Sequence, residues 1–251
     1  MQHRIVSQDE WLAARKEHLR REKEFTHMRD QLSAERRELP WVKVDKLYVF
    51  ESAGGRVALA DLFEDRSQLI IYHFMFAPDW GQGCPSCSFL ADHIDGANQH
   101  LRHHDVSLVV VSRAPLARIE AFRKRMGWQF KWVSSHASDF NFDYNVSFAK
   151  EDAARGKVTY NYETVDYMFD ELPGISVFYK DASGEIFHTY SSYARGGDLL
   201  LGAYNYLDLT PKGRNEVEGM EWVRHHDRYD TPARTGETDP ISAFRQKLAA
   251  G

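Results

Sequence analysis

The two cysteines of the chain stand three positions apart, in the run Cys84-Pro85-Ser86-Cys87. This spacing places two sulfur atoms within bridging distance across one helical turn. A thiolate at the start of a helix is stabilised by the unpaired N–H groups of the first turn, which lower its pKa. The pattern therefore predicts dithiol–disulfide chemistry, in which Cys84 attacks as a thiolate and Cys87 resolves the mixed disulfide. From its place in the motif, Cys84 is expected to be the more exposed and the more acidic thiol.

Other interpretations of the cysteine pair stay open. Half of a structural zinc site would need two more ligands, typically from a second CxxC or a pair of histidines at a set spacing, and no second CxxC exists. Two inert buried cysteines would not explain the proline and glycines beside them, because α/β sheets place their sites at such strand ends. A copper-handling module that uses a histidine and a non-catalytic binding protein are the remaining alternatives. We expect no resident metal and no cofactor.

The sequence before and after the pair predicts the elements that hold it. A nearly continuous apolar run over residues 68–76 predicts a strand that is covered on both faces. Residues 77–83 contain a proline and two glycines, which predict a loop. Apolar residues at three- and four-residue steps after Cys87 predict a helix that begins at or just after Cys84, with Pro85 in its first turn.

The rest of the chain predicts a mixed α/β sheet. Strands and single helices alternate between residues 68 and 134, which indicates parallel pairing. A second buried strand is expected over residues 106–112. A hairpin near residues 175–190 adds antiparallel strands and is followed by a closing helix over 198–207, and another hairpin surrounds residues 53–55. We expect three parts, of which the third ends in a loosely held stretch: a helical extension over 1–40, a domain over 41–215 with an irregular insertion at about 139–172, and a C-terminal tail over 216–251.

The N-terminal extension reads as one amphipathic helix over residues 7–38. Ser7 and Glu10 have the spacing of a capping box. Apolar side chains recur at helical intervals among many charges. We interpret the helix as an arm that packs on the main domain or on a second copy of the chain, which would make a homodimer.

Bulk properties exclude several classes of protein. The chain has 251 residues, a formal net charge of −5 and 43% hydrophobic residues. No basic block or stripe favours nucleic acid as a partner, and the longest apolar run is far too short to span a membrane. The first twelve residues lack the apolar segment of an export signal. We therefore expect a cytoplasmic location, where a cysteine pair is more often catalytic than structural.

Three further residues are candidates for roles at the site. His73 lies in the predicted buried strand and could tune a thiolate or act as a base, although a core histidine is the common alternative. Trp80 precedes the pair and could shield the sulfurs or line a substrate groove, or simply pack in its loop. Arg195 could bind an anionic substrate, or close the fold with a salt bridge.

The segments 72–76, 83–89 and 190–196 are similar to an uncharacterised bacterial family, domain-of-unknown-function family 899. The resemblance spans roughly residues 7–229. Its members are often described as predicted dithiol–disulfide isomerases, and they imply a thioredoxin-like three-layer α/β fold with a central mixed sheet. In this fold a cis-proline faces the CxxC pair, and Pro173 stands at the matching place. The resemblance thus implies a cis Leu172–Pro173 bond and a substrate groove that contains Trp80, Pro85, Ser86 and Pro173.

Peroxiredoxins are the near alternative within the same superfamily. The length of the loop that leads to Cys84 is similar to that of their reactive loop. The sequence departs from their pattern at three places, because Gly81 stands for a threonine, Ala77 for a proline and Pro173-Gly174 for an arginine. Those groups would hold and polarise a peroxide. We therefore expect a thiol–disulfide oxidoreductase, with a protein or small-molecule disulfide as substrate and a cellular thiol as reductant, and keep a thiol peroxidase as the alternative.

Overall fold

The computed structural model describes residues 3–217 and 219–230. Its contacts divide the chain into two compact units, Met1–Trp41 and Val42–Gly251. The first unit consists of helix α1, Gln8–Arg37. The Ser7 hydroxyl accepts a hydrogen bond from the Glu10 N–H, and the Glu10 carboxylate accepts one from the Ser7 N–H, so the predicted capping box is confirmed. No residue of α1 is buried.

The described part of the second unit contains ten strands and six α-helices. The strands are β1 Val42–Lys43, β2 Val49–Ser52, β3 Gly55–Ala58, β4 Gln68–His73, β5 Val106–Ser112, β6 Lys131–Ser134, β7 Lys157–Tyr160, β8 Glu163–Asp166, β9 Gly174–Lys180 and β10 Ile186–Tyr193. The helices are α2 Pro85–Ala91, α3 Ile94–Leu101, α4 Leu116–Met126, α5 Phe140–Asp143, α6 Lys150–Arg155 and α7 Gly202–Leu207. Short 3-10 turns occupy Leu59–Phe63, Arg102–His104, Ala194–Leu200 and His226–Arg228. None of the described helices is long and apolar enough to cross a membrane.

Eight of the strands form one mixed sheet in the order β1-β10-β9-β4-β5-β6-β2-β3. Strand β4 pairs in parallel with β5, and β5 pairs in parallel with β6. On its other side β4 pairs with β9, which is antiparallel to it, and β10 follows antiparallel to β9. The order β5-β4-β9-β10, with helices between β4 and β5 and after β10, is the core of a thioredoxin-like fold. The predicted fold class is confirmed.

Both faces of the sheet are covered, which explains why its central strands are apolar throughout. On one face Tyr72 and Val110 pack in a cluster with residues of α2, α4 and α7. On the other face Ile71 and Val109 pack against the Leu59–Phe63 turn and α5. Successive residues of β4 therefore point into two different cores, and the cysteine pair belongs to the first.

The insertion is more regular than the sequence predicted. It contains α6 and an antiparallel hairpin of β7 and β8. The hairpin turns at Asn161 and Tyr162, which both have positive φ angles, 52° and 66°. Such a turn normally carries Asn-Gly or a similar pair, so a tyrosine at its second position removes the sequence signal. Strands of four residues are also too short to show a clear period.

Two predicted helices differ in detail. The helix that begins at Cys84 stops at Ala91, and a separate helix, α3, begins at Ile94. The closing helix starts only at Gly202, because Ala194–Leu200 forms a 3-10 turn.

Residues 219–230, at the start of the predicted tail, contact the main domain closely. Val223 and His225 are buried. His225 Nε2 lies 2.9 Å from the Gly83 carbonyl oxygen, and Arg125 pairs with Asp227 at 2.8 Å. This segment therefore covers the loop that leads to Cys84. The stretch 231–251 lies outside the described residues.

Candidate active site at the cysteine pair

The chain folds so that Cys84 becomes the N-cap of α2. Its N–H donates to the Met75 carbonyl oxygen at 3.1 Å, which ties the loop to the end of β4. Its sulfur accepts a hydrogen bond from the Cys87 N–H at 3.3 Å, in the manner of a capping side chain. Pro85 follows at the first helical position, where a missing N–H leaves no bond unmade. The predicted helix start is confirmed.

Gly83 lets this loop approach the aromatic core. A Cβ atom at position 83 would lie 2.6 Å from Phe74 Cε1 and 2.8 Å from Phe122 Cε1. Both rings are buried in the cluster that contains the cysteines. Only glycine lets the backbone before Cys84 pass this closely over the two rings.

Both cysteines are free thiols, and both are buried, with 0% of Cys84 and 2% of Cys87 exposed. Burial would raise the pKa of Cys87, but hydrogen bonds from the Cys84 thiol, the Tyr72 hydroxyl and the Met75 N–H outweigh it and lower this pKa. The Met75 N–H lies 3.5 Å from Cys87 Sγ. Burial raises the pKa of Cys84 well above its ordinary value, and the hydrogen bond with Cys87 adds to the increase.

The expected difference between the two thiols is therefore wrong in both respects. Cys84 is not the more exposed sulfur, because the elements around α2 cover both. Its pKa is raised rather than lowered, since burial outweighs the N–H groups of Ser86 and Cys87 at the helix start. The negative charge is better held at Cys87, which receives hydrogen bonds from three directions.

A cavity of about 110 Å³ reaches both sulfurs. Ser86 and Pro173 line it together with the cysteines, so these four predicted site residues are brought together. The other walls come from the end of β4, from α2, from the start of β9 and from the segment that follows β10. Tyr193, at the end of β10, is one of these wall residues.

The predicted cis bond before Pro173 is absent, since no peptide bond of the described residues is cis. Two hydrogen bonds with residues of the insertion fix the backbone on either side of this trans bond. The Leu172 N–H donates to the Val146 carbonyl oxygen at 2.9 Å, and the Tyr160 hydroxyl donates to the Pro173 carbonyl oxygen at 2.7 Å. Pro173 thus reaches the cavity through contacts that the thioredoxin resemblance did not imply.

Glu171 is a buried carboxylate near the pair that the sequence analysis missed. Its oxygens accept hydrogen bonds from Arg113 Nη1 at 3.1 Å and from Ser147 Oγ at 2.6 Å. Burial raises the pKa of Glu171 to about 7 despite these two donors. Its charge in turn acts to raise the pKa of Cys87. The available signal was a pair of adjacent acidic residues, Asp170 and Glu171, shortly before the apolar strand β9.

Four other predicted residues do not line the cavity, and Pro85, in the first turn of α2, is one of them. His73 is on the opposite face of the sheet, where its Nε2 lies 2.9 Å from Ser176 Oγ, and burial lowers its pKa to about 3. The Arg195 side chain is 87% exposed and pairs with Asp198 at 3.2 Å. Trp80 is half-buried against the core cluster, but it does not line the cavity.

Within the described ranges, no group of three or more His, Cys, Asp or Glu side chains could hold a metal ion. The cysteine pair therefore has no further metal ligands around it in that part of the chain. Tyr72 and Met75, which the sequence analysis passed over, contact the pair instead.

Comparisons with solved structures find peroxiredoxins. A serine-substituted form of Xanthomonas campestris peroxiredoxin Q has 14% identity and a TM-score of 0.42, with 63% of this chain and 90% of that chain covered. The peroxidoxin BcpB from Mycobacterium tuberculosis has 12% identity and a TM-score of 0.43, with 67% of this chain and 97% of that chain covered. These scores are low, and the assignment of the fold rests on the order and direction of the strands.

Among curated proteins, none matches the chain. A family model does match, over residues 1–229, and its description is "Bacterial protein of unknown function (DUF899)". The chain therefore belongs to this family.

Proposed function

We propose that the protein is a thiol–disulfide oxidoreductase whose Cys84 and Cys87 alternate between a dithiol and a disulfide. The observation that carries this proposal is the contact between two free thiols at the start of α2, both facing one cavity. One sulfur donates a hydrogen bond to the other, so the reduced pair shares one proton and can hold one negative charge.

The exchange follows from this arrangement. A thiolate attacks one sulfur of a substrate disulfide, forms a mixed disulfide and releases the first thiol. The second cysteine loses its proton, attacks the mixed disulfide and releases the second thiol, so two electrons pass from the pair to the substrate. The hydrogen bonds favour Cys87 as the resting thiolate and the first nucleophile, which reverses the order expected from the motif. A cellular thiol or dithiol would reduce the pair again.

Two groups around the pair support this chemistry. The Tyr72 hydroxyl donates to the Cys87 sulfur and stabilises its charged form. The pKa of Glu171 is about 7, so it gains or loses its proton near neutral pH, where the chemistry would operate. The negative charge of its ionised form raises the pKa of Cys87. A protonated Glu171 therefore favours the thiolate, while an ionised one makes the sulfur more basic.

A thiol peroxidase remains the second candidate, and the same cavity would have to serve it. Cleavage of a peroxide needs donors that stabilise charge on the leaving oxygen. The arginines near the pair are engaged elsewhere, since Arg113 donates to Glu171 and Arg195 pairs with Asp198. Neither arginine lines the cavity.

Stopped-flow fluorescence of the reduced protein tests the proposal. Hydrogen peroxide and diethyl disulfide, a small disulfide, are compared under the same conditions, with the variants C84S and C87S as controls. We expect the disulfide to oxidise the pair and peroxide to react no faster than it does with an ordinary thiol. Rapid oxidation by peroxide, together with sluggish reaction of the disulfide, would replace the oxidoreductase with the peroxidase.

A further inference from the structure

The space beside the two sulfurs is small. Both cysteines are buried, and they meet solvent through a cavity of about 110 Å³. This volume is smaller than the engineered cavity of about 150 Å³ that accepts benzene. A group of only a few heavy atoms therefore fits beside the sulfurs, whereas a disulfide on a polypeptide brings two backbone segments with it.

The walls of the cavity are apolar. Beyond the cysteines, apolar and aromatic side chains supply most of the lining: Tyr72, Met75, Leu90, Ile175, Leu201 and Met220. None of the described residues that line it is a lysine, an arginine or a histidine. Removing a charged group from water into such surroundings is strongly unfavourable when nothing pairs with it.

The one charged side chain in this lining is an acid. Asp198 pairs with Arg195 at 3.2 Å and with Arg214 at 3.6 Å. None of the described lining residues offers an anionic substrate such as glutathione disulfide a cation to pair with. A cationic substrate would have to compete with two arginines that already hold Asp198.

From this cavity, and resting on the proposed function, we infer that the substrate is an uncharged, low-molecular-weight disulfide with an apolar half. That half enters the cavity and brings one sulfur to the pair. The S–S bond of the substrate breaks, the S–S bond between Cys84 and Cys87 forms, and two thiols leave with the two electrons and protons of the dithiol. A dithiol such as dithiothreitol restores the reduced pair.

The test compares disulfides of different charge and size on the reduced full-length protein. Diethyl disulfide is neutral, cystamine is cationic and glutathione disulfide is anionic. Insulin supplies the disulfides of a protein. Each rate is divided by the rate of the same disulfide with mercaptoethanol, which removes differences in intrinsic reactivity. We expect the normalised rate of diethyl disulfide to exceed those of cystamine and glutathione disulfide by at least about tenfold, since ~1.4 kcal/mol of unpaired charge burial already gives that factor. It should exceed that of insulin by a similar factor, because the polypeptide around an insulin disulfide does not fit the cavity.

A charge introduced into the wall of the cavity provides a second test of the inference about the substrate. The variant M220K adds a cation to the cavity, whereas M168K makes the same change at a side chain that is 43% exposed and does not line it. M220K should raise the normalised rate of glutathione disulfide relative to diethyl disulfide by about tenfold, by charge pairing. M168K should leave this ratio unchanged.

The outcomes separate the two claims. If glutathione disulfide or insulin oxidises the wild-type pair as fast as diethyl disulfide does, the inference about the substrate is overturned while the oxidoreductase stands. An unchanged ratio in a folded M220K protein would also contradict it. If no disulfide of any class oxidises the pair, the proposed function itself fails.

Discussion

At the scale of single residues, the two sulfurs differ in the hydrogen bonds they receive. We predict that Cys87, measured in the variant C84S, titrates below the ordinary pKa of a thiol, because the introduced hydroxyl can replace the Cys84 thiol as a donor while Tyr72 and Met75 still donate. Cys84, measured in C87S, should titrate above that value, because burial is the largest influence on it. The rate of alkylation by iodoacetamide as a function of pH gives both values, and the reverse order would refute the assignment.

The Tyr72 hydroxyl should account for a large share of the acidity of Cys87. Y72F removes one donor and leaves the buried ring in place. A hydrogen bond to a charged group contributes about 1.5–3 kcal/mol, so the pKa of Cys87 should rise by roughly one to two units. Alkylation of Y72F in the C84S background measures the shift, with the exposed Y206F as control. An unchanged pKa would show that Tyr72 does not support the thiolate.

The raised pKa of Glu171 has a consequence for stability. The native state keeps this proton up to about pH 7, whereas the unfolded chain releases it near 4.5. The native state therefore binds more protons between these values, and the free energy of unfolding falls as pH rises through them. The loss is on the order of 3 kcal/mol for a shift of this size.

Urea denaturation of the wild type and E171Q from pH 4.5 to 7 measures this contribution. The difference in unfolding free energy between the two proteins should change across this range, because only the wild type carries the titrating group. Histidines with lowered pKa values, such as His73, affect both proteins alike. E151Q, a change at an exposed position, should follow the wild type. Parallel curves for wild type and E171Q would contradict the account.

The residues of the site were predictable only where local sequence marks them. The CxxC spacing identified Cys84 and Cys87, and the proline before an apolar strand identified Pro173. Tyr72 and Glu171 could not be found in this way, because they reach Cys87 from distant parts of the chain. His73 illustrates the opposite error, since a single step along β4 turns its side chain to the other face of the sheet.

At the scale of elements, the start of α2 depends on how closely the preceding loop packs. G83A should destabilise the fold by about 1–3 kcal/mol, the typical cost of overpacking a core. The added methyl group would collide with the rings of Phe74 and Phe122. G81A is the matched control, since nothing lies within 4 Å of a Cβ atom there, and it should change stability by less than about 0.5 kcal/mol. Equal stability of the two variants in urea would contradict this account of the loop.

The elements that the sequence predicted well are those whose signal is local. Strand β5 has the predicted bounds, and α2 begins where Pro85 indicated. The hairpin of β7 and β8 was missed because its turn lacks the common residues. The contact of His225 with Gly83 joins positions 142 residues apart, and no local pattern encodes it.

At the scale of the whole molecule, the predicted homodimer stays a prediction. Helix α1 carries exposed apolar side chains, among them Trp11, Phe25 and Met28. Its first turn is acidic and its last turn basic, so two copies could pair antiparallel with opposite charges adjacent. We propose such a pairing and expect sedimentation to show a dimer that the double variant F25E/M28E converts to a monomer. A monomeric wild type would rule it out.

The central claim is that Cys84 and Cys87 form a reversible redox couple, and a redox titration tests it most directly. The protein is equilibrated in mixtures of reduced and oxidised dithiothreitol and, for less negative potentials, of mercaptoethanol and its disulfide, then trapped with an alkylating agent and analysed by mass spectrometry. We predict one two-electron transition between a doubly alkylated form and a form with a disulfide that joins Cys84 to Cys87, and no such transition in C87S. If both thiols remain reduced across the whole range in the wild type, or oxidise without forming this bond, the account is wrong.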